Sequence, residues 1–154
     1  MVNVLNISNI PEEYTDDPKF ASKMRTIFMG AAAGSRKIYV NIDYIKPGAK
    51  SVKYHSHSRQ EEFFFILKGT GTLRMNDGKV QVKAGDFVAK PAGDGLAHQF
   101  FNNGEEVLEI LDCGTKEDND IITYPDEDLV LLREEGLIFK KSDAQESWSS
   151  EPNE

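Results

Sequence analysis

The sequence predicts an all-β domain, a sandwich or barrel of short strands, and three observations carry that expectation. From residue 37 onward, β-type runs follow one another at close intervals. Nearly every run ends on Gly, Pro, Asn or Asp, the residues that turn a chain, and nothing repeats at a fixed longer period. The chain of 154 residues is 39% hydrophobic, enough for one domain. A chain of this size hides about 70% of its unfolded surface, so it needs neither disulfides nor metal merely to fold.

In chain order, residues 1–36 read as an N-terminal extension packed on the barrel. Within it Phe20, Met24, Ile27 and Phe28 recur at helix-like spacing, which predicts a short helix over residues 18–28, stopped by Ala31-Ala32-Ala33-Gly34-Ser35. The barrel core is expected over residues 37–114, with strands at residues 37–45, 52–55, 62–67, 71–75, 80–82, 86–90, 99–102 and 107–113. Asn76-Asp77-Gly78 tolerates positive φ, so residues 71–82 form a hairpin. Residues 115–140 make a C-terminal extension. There Leu129-Val130-Leu131-Leu132 fits neither the helical nor the strand period, leaving a helical turn or an edge strand for residues 126–136. Residues 141–154 are polar and are expected to be a mobile tail.

Composition excludes several function classes. One cysteine, Cys113, rules out an intramolecular disulfide framework and fits a reducing compartment; it reads as a small buried hydrophobe. The first ten residues lack the basic and apolar regions of a secretory signal, so a cytoplasmic location is expected. The longest apolar run, residues 63–67, is far short of the roughly 20 residues of a membrane helix, so no membrane partner is expected. A net charge of −8 speaks against nucleic acid. The excess acid lies in the second half: residues 78–154 carry 18 acids against seven Lys and Arg, and the run from 105 to 128 reads as a solvated face. No GxSxG, P-loop or dinucleotide fingerprint occurs, and Gly69-Thr70-Gly71 reads as a turn between strands.

All three histidines, His55, His57 and His98, fall in the strand-rich block. At i and i+2 on a strand, His55 and His57 point to one face with Cα atoms about 6.6 Å apart, so two imidazoles converge on one ion. Glu61 and Glu62 follow a short polar stretch that can return a carboxylate to that face, and His98 comes from a later strand as a third nitrogen.

The wider pattern is more specific. Gly48, His55, His57, Glu62 and Gly69, then Gly85, Pro91, Gly93, His98 and Asn102, resemble the two motifs of the cupin superfamily, G-x5-H-x-H-x(3,4)-E-x6-G and G-x5-P-x-G-x2-H-x3-N. Gly48 stands one residue too early and Gly93 two, through Asp94-Gly95-Leu96-Ala97. The resemblance covers residues 37–114; residues 120–129, with Tyr124-Pro125-Asp126, look like the tail of small single-domain cupins. It implies a double-stranded β-helix, a jelly-roll-like barrel, that holds one divalent metal through His55, His57, Glu62 and His98, with Glu61 as the other carboxylate considered. Three imidazoles and a carboxylate suit Fe, Mn, Ni, Co or Zn without choosing among them.

If Glu62 and His98 face inward, alternation places Phe64, Ile66, Phe100 and Asn102 inward too, which makes the site dry. Phe63, Phe65 and Phe101 then face outward and need cover, which with the resemblance predicts a homodimer testable by light scattering. Lys53, Arg59, Arg74 and Lys90 are candidate anchors for an anionic ligand. The implied function is a metal-dependent oxygenase, decarboxylase or isomerase acting on a small polar or anionic molecule, with Glu62 as ligand or base; the alternative is a non-catalytic cupin that binds or senses a small ligand.

Overall fold

The computed structural model describes residues 4–148 apart from 12 and 18. Its strands are β1 (Glu13–Asp17), β2 (Ala21–Ile27), β3 (Ile38–Ile45), β4 (Ser56–His57), β5 (Glu62–Lys68), β6 (Thr70–Met75), β7 (Gly78–Lys83), β8 (Phe87–Lys90), β9 (Gln99–Phe101), β10 (Leu108–Thr115), β11 (Ile121–Tyr124), β12 (Leu129–Leu132) and β13 (Leu137–Lys140). All pairings are antiparallel and group the strands as β1-β2-β3-β10-β5-β8, β13-β12-β11-β4 and β7-β6-β9. This is an all-β jelly-roll barrel, as expected.

The β3–β10–β5 trio forms the wall that carries the site. β10 pairs along its whole length with β3, from Leu108↔Ile45 to Thr115↔Ile38, and on its other side with β5. Alternation on β5 turns Glu62, Phe64 and Ile66 inward, each at most 4% exposed, while Phe63 is 37% exposed and stacks on Phe87 at 6.0 Å. Ile45, Phe64, Ile66, Leu73, Phe100, Leu108 and Ile110 are the heart of the core. Asn102 is fully buried and donates to the carbonyls of Ile45 and Glu106, both at 2.7 Å, so this motif residue ties the loop after β9 to the end of β3. Gly69 has φ +82, and a Cβ there would lie 2.7 Å from the Val107 carbonyl; the turn between β5 and β6 requires glycine.

Residues 21–27 form strand β2, not the expected helix. The free edge of β3 offers partners (Met24↔Ile45, Thr26↔Asp43), and Met24 and Thr26 are both buried, a period of two that the apolar spacing alone concealed. Among the described residues, helix is confined to one turn, α1 (Met29–Ala32), besides three short 3-10 turns. The strand expected at 52–55 does not form: only His55 bridges, to His98, and β4 follows outside it at Ser56–His57. Residues 129–132 form a strand but not an edge one: β12 is paired by β11 on one side and β13 on the other, a placement local pattern did not reveal. Of the expected tail, residues 141–143 form a 3-10 turn, and residues 149–154 lie outside the described residues. No helix among the described residues is long and apolar enough to cross a membrane.

Candidate metal centre

Strand register assembles the site. His55 and His98 exchange backbone hydrogen bonds (3.3 and 2.9 Å), which carries their rings side by side with centroids 4.7 Å apart. Glu62 opens β5 and points inward, whereas Glu61 is exposed. His55, Glu62 and His98, all buried, each offer one ligand atom within 4.8 Å of the others. His57 adjoins this set: its ring lies 4.9 Å from that of His55, and its Nε2 stands 3.5 Å from Glu62 Oε1.

The imidazoles are oriented from behind. Nδ1 of His55 lies 2.7 Å from the Lys53 carbonyl, which only accepts, so Nδ1 carries the proton and Nε2 keeps a lone pair. Nδ1 of His57 likewise donates to Asp120 Oδ2 at 2.6 Å. Asp120 is buried and its other oxygen accepts from the amides of Arg59 (3.0 Å) and Gln60 (3.4 Å) and from the Ser58 hydroxyl (3.3 Å). Burial alone would raise its carboxyl, but the bonds from His57 and the two amides outweigh that and hold it below the ordinary range. A carboxylate–histidine pair of this kind fixes a ligand's tautomer and orientation.

Burial dominates the histidines and leaves them neutral. It pulls His55 down to about 4, lowers His57 against the opposing charge of Glu62, and pulls His98 well down with help from repulsion by His55. Burial pushes Glu62 the other way, yet its interactions with His98, His57 and the Lys90 ammonium outweigh that and bring it down to about 2, so it is ionised. Lys90, 1% exposed, faces Glu62 directly across β5 and β8, with Nζ 2.5 Å from Oε2 but without hydrogen-bond geometry. It stands behind the carboxylate, not in the cavity, so it does not serve as an anion anchor. Lys53 and Arg74 pair at the surface with Glu127 and Asp126, and Arg59 is exposed.

These residues fit a divalent metal. His98 Nδ1 is buried without any hydrogen-bond partner, Glu62 Oε2 has only the Lys90 ammonium beside it, and the neutral imidazoles keep lone pairs that a metal ion would take. The cluster opens on a cavity of about 480 Å³ whose apolar wall includes Phe64, Phe100 and Ile110.

On the far side from Lys90, the Tyr39 hydroxyl lies 2.8 Å from Asp112 Oδ1 and 3.2 Å from Glu62 Oε1. Burial and the charges of Asp112 and Glu62 raise the Tyr39 phenol, so it stays protonated and donates. Asp43 and Asp112 also line the cavity. Sequence reading missed Tyr39, Asp43, Asp112, Asp120 and Gln60. Strand parity was a usable signal for Tyr39 and Asp43, which alternate with the buried Ile45, and for Asp112, which alternates with Ile110. Asp120 had none: it follows the positive-φ Asn119 in a loop beyond the barrel.

The family model for the Cupin domain matches residues 42–114. A sugar phosphate isomerase structure from a cupin superfamily in Silicibacter pomeroyi is 26% identical, with a TM-score of 0.81 over 94% of this chain and 97% of its own. A candidate sugar phosphate isomerase from Acidithiobacillus ferrooxidans is 31% identical, with a TM-score of 0.76 over 82% of this chain and 81% of its own. Among curated proteins, the oxalate-binding protein of Thermotoga maritima is 35% identical over 65 residues, 42% of this chain and 52% of its own length. The chain spans between 52% and 64% of the curated relatives it matches.

Proposed function

The chain belongs to the cupin superfamily, and from that premise we propose that it is a metal-dependent enzyme acting on a small polar molecule, with isomerisation of a sugar-phosphate type as the reaction. The observation that carries the proposal is the buried His55–Glu62–His98 cluster opening on the cavity. His55, His57, Glu62 and His98 would hold one ion of Fe, Mn, Ni, Co or Zn. Bound there, the ion supplies Lewis acidity to substrate oxygens.

The chain's own groups then divide the work. Glu62, ionised, would act either as a ligand or, once off the ion, as the base that takes a proton from the carbon beside the substrate carbonyl and returns it to the former carbonyl carbon. Tyr39, whose single proton faces Asp112 Oδ1 and Glu62 Oε1, helps to orient the Glu62 carboxylate. Phe64, Phe100 and Ile110 keep bulk water from the reacting atoms. Lys116 and Arg133, which also line the cavity, favour an anionic substituent. The 35% identity to an oxalate-binding protein supports a second reading, a cupin that holds a small ligand without turnover.

The test is NMR of aldose and ketose phosphates with metal-loaded protein in heavy water. Deuterium entering beside the carbonyl, and lost in Glu62→Gln, is the expected result. Bound sugar phosphate without exchange, for every metal, favours the binding reading.

A further inference from the structure

We propose that Asp43 and Asp112 form a second ligand-binding pole of the cavity, one that takes the hydroxyl groups of a polyhydroxylated molecule and turns dicarboxylates away. The inference rests on reading the cavity as the substrate site and names the residues that would select the substrate class.

The two acids stand on neighbouring strands, Asp43 opposite Ile110 and Asp112 opposite Asn41, so both project to the inner face and both line the cavity. Asp43 accepts from the Thr26 hydroxyl at 2.6 Å, Asp112 from the Tyr39 hydroxyl at 2.8 Å, and the two carboxyls lie within hydrogen-bonding reach of each other. Asp43 is 8% exposed, and Asp112, though enclosed by the barrel, keeps part of its surface toward the cavity. None of the ion pairs among the described residues involves either group, and the Lys90 ammonium is engaged with Glu62. Burial raises both carboxyls, as does the charge of Asp43 at Asp112. Two uncompensated buried acids are costly where apolar residues such as the adjacent Ile45 and Ile110 would pack, and such a cost is characteristic of a functional position.

The chemistry of the pair is specific. A carboxyl pair offers several acceptor oxygens and, when it shares a proton, one donor, which matches adjacent hydroxyls. A second carboxylate on the ligand would instead meet Asp43, Asp112 and Glu62 within one low-dielectric cavity.

The experiment uses ribitol and oxalate as probes. Ribitol is titrated into metal-free protein and followed by NMR at Thr26, Ile45 and Ile110. It should bind wild type and the isosteric Asp43→Asn/Asp112→Asn variant with affinities within about threefold, and at least about tenfold more weakly to Asp43→Leu/Asp112→Leu. Oxalate, measured on the manganese-loaded protein, should bind the Asn pair about tenfold more tightly than wild type, because the repelling charge is gone. Ribitol binding unchanged by the Leu pair, or oxalate affinity unchanged by the Asn pair, overturns the proposal. If manganese is not taken up, the metal reading fails on its own, and the ribitol titration still decides the role of the pair.

Discussion

Replacing Asp43 by Asn should stabilise the metal-free protein at neutral pH and leave it unchanged in acid. The Asp43 carboxyl is raised from 3.8 to about 6, with burial as the cause and the Thr26 and Asp112 hydrogen bonds opposing it. A folded-state pKa above the unfolded value means that the native protein binds this proton more tightly. Stability from this group is therefore greatest below about pH 4 and is lost as pH rises through about 6. The shift of about two units corresponds to about 3 kcal/mol at pH 7, the upper bound of what Asn, which cannot ionise and keeps the acceptor for Thr26, recovers. Urea unfolding of both proteins between about pH 4 and 7.5, with chelator present, measures the difference at each pH. Taking the difference cancels carboxyls that do not touch Asp43, Asp120 among them, while Asp112, released from the Asp43 charge, changes in the same direction. A gain that grows from near zero to about 2–3 kcal/mol is expected. A difference that is flat with pH, or a variant less stable throughout, refutes the reasoning.

Three further substitutions probe other parts of the site. Asp120→Asn keeps one acceptor oxygen, which the Arg59 and Gln60 amides claim, and so turns an NH2 on His57 Nδ1; metal affinity, read by competition with a chelator, should fall about 10- to 100-fold. Gly114→Ala brings a methyl against the Glu61 carbonyl and within 2.8 Å of Tyr39 Cε1; it should cost about 1–3 kcal/mol by denaturant unfolding and displace Tyr39 from Glu62. Lys90→Met strands the Glu62 carboxylate, so the metal-free protein should lose about 3–5 kcal/mol, while the rise in melting temperature on adding metal should exceed that of wild type. An unchanged metal-induced rise would reduce Lys90 to a purely structural residue.

Local pattern made much of the barrel legible. Period-two alternation in residues 62–67 placed Glu62, Phe64 and Ile66 inside, and Asn76-Asp77-Gly78 announced the β6–β7 hairpin; both are present as read. The features that escaped depend on distant partners. Residues 21–27 take strand geometry because the edge of β3 is there to pair with, a fact absent from their own spacing. His57 owes its orientation to Asp120, 63 residues away, which sits in a loop that carries no motif. From the sequence Lys90 is only a candidate anchor for an anionic ligand; its placement against Glu62 follows from the β5–β8 register, which pairs the two residues directly. Asp43 and Asp112 shared parity with core residues, but an acid in a strand is ordinarily assigned to solvent, and only the enclosure of the barrel reverses that assignment.

The most direct measurement is the metal content of protein purified without chelator or metal-affinity resin, beside Glu62→Ala and His98→Ala. The expected result is about one transition-metal ion per wild-type chain, taken up again after removal, and a loss of at least about tenfold in affinity in both variants. Wild-type protein that binds none of Fe, Mn, Ni, Co or Zn, or variants that retain the ion, would contradict the assignment of this cluster as the metal centre.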